Sequence, residues 1–114
     1  MSIRLVCRIG FFIALTGIIG GSLVPDAMTE LRIADYDKVT HLAAYFALAM
    51  LAALGWPRWR GVALVSLPLI GLALEAGQSA TGRNFEWTDA LANAAGIGIA
   101  VAISAILTSW LSRE

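Results

Sequence analysis

The sequence predicts an all-α polytopic membrane protein: a compact antiparallel bundle of four transmembrane helices, with residues 1–114 forming one domain. Three observations lead there. First, 59% of the residues are hydrophobic and only 14% charged, with a mean hydropathy of +0.78; average chains are roughly 45–50% apolar and about 25% charged. A soluble domain this small has too little interior to bury so much apolar surface, whereas a lipid-facing exterior accommodates it. Second, the apolar residues gather into four runs, each near the roughly 17–25 residues that a helix needs to cross the hydrocarbon layer. Third, arginines and tryptophans stand near the ends of those runs, as they do at membrane–water interfaces.

The first run is Ile9 to Val24, preceded by Arg4 and Arg8. It is short for a span unless the Arg8 stem lies along the apolar layer with its head at the surface. A secretory signal has the same charged start, but no Ala-x-Ala site follows, so the run is read as retained. Pro25 to Asp37 is the longest connection, and Met28, Leu31 and Ile33 among its charges predict a short interfacial helix. The second run is Val39 to Trp56. The Trp56-Pro57-Arg58-Trp59-Arg60-Gly61 stretch after it is a tight turn, since Pro and Gly stop helices. The third, Gly61 to Gln78, reaches full length only with Glu75 and Gln78 counted inside it, and Pro68 can kink it. The fourth is Ala90 to Leu111.

Orientation follows from the basic residues. Arg4, Arg8, Arg58, Arg60 and Arg113 fall on one side of the four-span topology, against Arg32, Lys38 and Arg83 on the other. The bias places both termini in the cytoplasm. Trp56, Trp59, Trp87 and Trp110 fall near run ends, as an aromatic belt does.

At about 100° per residue, each run has an identifiable inward stripe. Gly10, Ala14, Gly17 and Gly21 align in the first, with Gly17 and Gly21 as a small-x-x-x-small pair that lets helices approach closely. Asp37, Lys38, His41 and Tyr45 share an arc of the second. Gly71, Glu75 and Gln78 align in the third, and Asp89, Asn93, Gly96 and Ala100 in the fourth.

The polar members of these stripes recur at one depth. The second and fourth runs enter the membrane from outside and the third leaves there. Asp37, His41, Glu75, Gln78, Asp89 and Asn93 therefore all lie within about two turns of the outer surface, with Arg83 in the loop above them. Ionisable groups at the hydrocarbon layer are costly and mark functional sites. Asp37 and Asp89 also have an ordinary role as caps at helix N-termini, and Lys38 can reach headgroups. Arg83 follows a helix C-terminus, and its guanidinium also matches phosphate geometry. Glu75 and His41 cap nothing. They are the candidate general acid–base residues, or else a buried pair that fixes helix register. Asp37, Lys38, Tyr45, Gln78, Arg83, Asp89 and Asn93 are the candidate ligand-binding residues.

Other chemistries find little provision. No basic stripe points to nucleic acid. A single histidine is poor provision for zinc, so no metal site is expected. Cys7, the one cysteine, lies in an apolar run and is read as a small hydrophobe. There is no nucleophile elbow and no phosphate-cradling glycine loop, and no cofactor is expected.

Asp37-Lys38-x-x-His41 followed by Ala44-Tyr45-Phe46, then Glu75-x-x-Gln78, Arg83, and Asp89-x-x-x-Asn93-x-x-Gly96, occur in that order. Together with Ser22-x-x-Pro25 they resemble the VanZ-like family of small bacterial membrane proteins. The resemblance covers Ser22 to Gly96 and implies a cell-envelope protein of several helices in the bacterial inner membrane. The founding member of that family is associated with teicoplanin resistance. No catalytic residues transfer with the pattern. Two readings of function stay open. One is a site that binds or modifies an envelope lipid or cell-wall precursor with an anionic headgroup. The other is a non-catalytic membrane protein whose polar rim clasps the helices through ion pairs.

Overall fold

The computed structural model describes residues 2–22, 34–80 and 87–111, with side chains throughout except at 22, 34–38, 78–79 and 110–111. The described residues form α1 (Ile3–Ser22), α2 (Ala34–Gly55), a 3₁₀ turn (Pro57–Trp59), α3 (Arg60–Ala80) and α4 (Trp87–Leu111). The interfacial helix expected around Met28 to Ile33 falls outside the described residues.

Helix ends follow local chemistry more than hydropathy. Helix α1 starts six residues before its apolar run, because the Ser2 hydroxyl caps it by accepting from the Leu5 amide at 3.2 Å and arginine is a good helix former. Helix α2 likewise begins ahead of Val39, carrying Asp35, Asp37 and Lys38 in its first turns. The Trp56 amide donates to the Ala52 carbonyl at 2.8 Å and the Trp59 amide to the Trp56 carbonyl at 2.9 Å, closing the chain into the 3₁₀ turn. Pro57 opens that turn, where its missing N–H costs nothing. Pro68 inside α3 leaves the Leu64 carbonyl without its helical donor.

Ile3–Gly21, Pro57–Gly77 and Trp87–Ser109 are long and apolar enough to cross a membrane; the apolar stretch of α2, Val39–Gly55, is shorter. The outer surface is apolar: Phe12, Ile13, Val65, Leu69 and Ile106 are each more than half exposed. A surface of that kind marks a membrane or partner contact.

The closest pair in the bundle is α2 with α4. His41 meets Asn93 and Asp89, while Leu42 and Phe46 lie against Gly96, so these two helices run parallel. Helix α1 runs antiparallel to α2, with Arg8 at Gly55 and Gly10 at Leu51. Helix α3 packs antiparallel on α4 and less extensively on α2. Among the described residues no Cα atom of α1 lies within 8 Å of one in α4. The antiparallel bundle expected from the loops is therefore drawn together around a parallel pair and stays open between its first and last helices. Small residues explain this. A Cβ on Gly96 would run into the Leu42 carbonyl oxygen and lie 3.1 Å from the Phe46 amide nitrogen. Ala49 and Ala100 are fully buried in the core beside Leu48 and Ile97.

The stripe expected on α1 is partly wrong. Cys7, Phe11, Ala14, Leu15 and Ile18 form its packing face. Gly17 and Gly21 sit roughly 90° to one side of that face, and no described atom lies within 4 Å of a Cβ built on either. The bulkier Phe11 and Ile18 bury more apolar area than the glycine edge offers, so they turn inward.

Candidate functional site

Five polar side chains from three helices meet at one end of the α2–α4 seam. Tyr45, Glu75, Asp89 and Asn93 are buried, Glu75 and Asn93 to 2% exposure, and His41 is nearly so. Two spacings assemble the group. Asp89 and Asn93 are four residues apart, which puts both on one face of α4 with Gly96 a turn further in. His41 and Tyr45 are four apart on α2. Because Gly96 lets the backbones close, both α4 side chains reach a single imidazole.

His41 Nδ1 is 3.0 Å from Asn93 Oδ1, and His41 Nε2 is 3.8 Å from Asp89 Oδ2. A carbonyl oxygen only accepts, so Nδ1 carries the hydrogen and donates it to Asn93. Nε2, the other ring nitrogen, has the Asp89 carboxylate beside it. Asp89 stands in the first turn of α4, where the helix dipole favours a negative charge. The amide orients the ring and the carboxylate faces its other nitrogen.

Helix α3 closes the third side. A Cβ at Gly71 would lie 3.0 Å from Asn93 Nδ2 and 3.4 Å from the Tyr45 ring, so α3 approaches the cluster there with no side chain between. Glu75, one turn further on, is within electrostatic reach of Tyr45. A carboxylate with so little contact with solvent is retained only where neighbours compensate its desolvation.

Of the residues singled out in the sequence, His41, Tyr45, Glu75, Asp89 and Asn93 thus converge. Asp37 and Lys38 lie in the first turns of α2 and Gln78 in the last turn of α3, with side chains outside the described part; Arg83 lies outside the described residues altogether. Among the described residues no three of His, Cys, Asp and Glu cluster as metal ligands. Sequence reasoning offered His41, Lys38 or Arg83 as the partner of Glu75. His41 lies against Asn93 and Asp89, contacts that sequence reasoning did not pair with it, and the four-residue spacing of those two was the available signal.

The opposite end is held differently. Arg8 Nε donates to the Gly55 carbonyl at 2.8 Å, and the Arg8 guanidinium carbon lies 5.4 Å from the Trp56 ring centroid. Arg60 Nη2 donates to the Thr108 hydroxyl, tying the start of α3 to the end of α4. The Arg8 contact satisfies a C-terminal carbonyl of α2 with a cation, where the dipole favours it. Sequence reasoning read these arginines as orientation signals, and Arg8 also as a side chain reaching the surface, and foresaw neither contact. In comparisons with protein-family models, curated proteins and solved structures, nothing matches this chain.

Proposed function

We propose that the chain is a four-span protein of the bacterial inner membrane, with both termini cytoplasmic, whose buried polar cluster binds or modifies an envelope lipid or cell-wall precursor at the outer leaflet. The observation that carries this reading is the cluster itself. An imidazole oriented by Asn93, faced by Asp89 and accompanied by Tyr45 and Glu75 is expensive to place between apolar helices. In this reading His41 Nε2 takes a proton from the bound headgroup as general base and returns it as general acid, while the Asp89 carboxylate stabilises the imidazolium formed in between. Glu75 and Tyr45 set the field around the pair. Lys38 and Arg83 supply cations for a phosphate or carboxylate headgroup, and Asp37 and Gln78 complete the rim. The motif order resembles the VanZ-like family, and that resemblance supports an envelope role.

A second reading rests on one specific observation: both ring nitrogens of His41 face groups of the protein itself. The cluster is then a clasp that fixes the register of α2 against α4 and needs no ligand. The two readings separate by native mass spectrometry of the purified protein. The binding reading expects a headgroup class that copurifies with wild type and is lost from both Arg83→Ala and His41→Ala while helical content is kept. Identical lipid complements in all three proteins would sink it and leave the clasp.

A further inference from the structure

A second site lies about 22 Å along α2 from His41, given fifteen residues at about 1.5 Å each. Phe11, Ala52, Trp56, Trp59, Ala63 and Leu67 line a cavity of about 320 Å³ between α1, α2 and α3. That is within the roughly 300–1,000 Å³ range of sites for small ligands. Two of its wall residues, Phe11 and Trp56, meet edge to face, with ring centroids 5.4 Å apart and planes at 83°. Its lining is aromatic and aliphatic, with the Ser66 hydroxyl as the polar side-chain group besides the two indoles.

Charge distinguishes this end. Arg8 stands over Trp56, a wall residue. Arg58 is exposed on the 3₁₀ turn between the two lining tryptophans, and Arg60 follows it. The acidic side chains described, Glu75 and Asp89, belong to the other end. An apolar slot rimmed by arginines and indoles, at the depth where a membrane turns from hydrocarbon to headgroup, matches one kind of molecule. We propose that this cavity seats an acyl chain of an anionic phospholipid, with the lipid phosphate on Arg58 beside Arg8. The site is separate from the His41 cluster and rests on the membrane reading above.

The test uses tryptophan quenching by bromine on lipid chains. The full chain carries Trp87→Phe and Trp110→Phe, so that of its four tryptophans only Trp56 and Trp59 report. It is reconstituted into phosphatidylcholine vesicles containing increasing fractions of brominated phosphatidylglycerol or brominated phosphatidylcholine. An anionic headgroup beside one arginine gains about fivefold in occupancy. Brominated phosphatidylglycerol is therefore expected to quench at about one fifth of the mole fraction that brominated phosphatidylcholine needs. Arg58→Gln removes the charge and Ala63→Phe fills the slot; each brings that ratio to about one, with helical content by circular dichroism unchanged. The proposal stands only if the preference exists in the reporter protein and both substitutions abolish it. Equal quenching by the two lipids, or a preference that survives either substitution, overturns it. Quenching by neither lipid at full brominated composition overturns the membrane reading itself, and this site with it.

Discussion

Helices α1 and α4 carry the same sequence signal and meet different fates. Each has small residues at helical spacing: Gly10, Ala14, Gly17 and Gly21 on α1, and Gly96 and Ala100 beyond Asp89 and Asn93 on α4. On α4 the stripe is buried against the α2 backbone. On α1 its second half faces no described atom. Small residues permit close approach and do not cause it. On α4 the stripe continues into Asp89 and Asn93, which find His41, and the polar grip holds the backbones where Gly96 lets them meet. On α1 the glycines have no polar partner across from them. Attachment there falls to Phe11, Leu15 and Ile18 and to Arg8 at the other end.

The largest effect expected from breaking this contrast is at Gly96. Its Cβ would strike backbone atoms of Leu42 and Phe46, which cannot rotate away as a side chain tip does. Gly96→Val is expected to cost about 3 kcal/mol, at the upper end for overpacked sites. Reversible unfolding in mixed detergent, followed by circular dichroism, measures it. A loss under about 1 kcal/mol would mean that α2 and α4 are not in backbone contact.

Next is the polar grip itself. His41→Ala and Asn93→Ala should each destabilise by about 1–2 kcal/mol, since each strands a buried partner. The double variant should lose less than the sum, with a coupling of about 0.6–1.7 kcal/mol, the span found for hydrogen bonds between helices in membranes. Additive losses would remove the bond from any account of why α4 stays on α2, and with it the orientation of His41 Nε2.

How much of this was legible in the sequence divides along physical lines. The four helices were legible, because apolar runs of this length have few alternatives. Their ends were not, because Ser2, Arg4 and the acidic first turns of α2 extend helices past the apolar layer that hydropathy detects. The α4 stripe was legible, because a polar and a small residue at four-residue spacing rarely face lipid. The packing face of α1 was not, because rotating an all-apolar helix by a quarter turn changes nothing that hydropathy registers. The convergence of His41, Tyr45, Glu75, Asp89 and Asn93 was readable as a common depth. The Asn93–His41 bond needed the parallel contact of α2 with α4, which loop lengths do not specify.

The hold on α1 should be weaker and easier to remove. Arg8→Ala deletes the hydrogen bond to the Gly55 carbonyl and the contact over Trp56. A cation over an aromatic face is worth about 0.5–1 kcal/mol where exposed, and the hydrogen bond adds a similar amount. The expected loss is about 1 kcal/mol, together with a change in Trp56 fluorescence as its face opens. Arg8→Lys keeps the charge but not the fixed fork, and should recover less than half. Full recovery by lysine would show that charge near the surface holds α1, with no role for the geometry at Gly55.

The smallest expected effect is the most direct comparison, and its sign differs from that at Gly96. With no described atom within 4 Å, a methyl group at Gly17 meets nothing. Alanine also restricts the unfolded chain more than glycine does, a gain of roughly 0.5–1 kcal/mol within a helix. Gly17→Ala should therefore leave stability unchanged or raise it slightly, where a larger side chain at Gly96 lowers it. A clear loss at Gly17 would mean that another helix packs on this edge in the membrane. No described helix lies on that edge, so the helix would come from a second copy of the chain. Cross-linking through Gly20→Cys, in a Cys7→Ser background, would then give a dimer that Gly17→Ile abolishes.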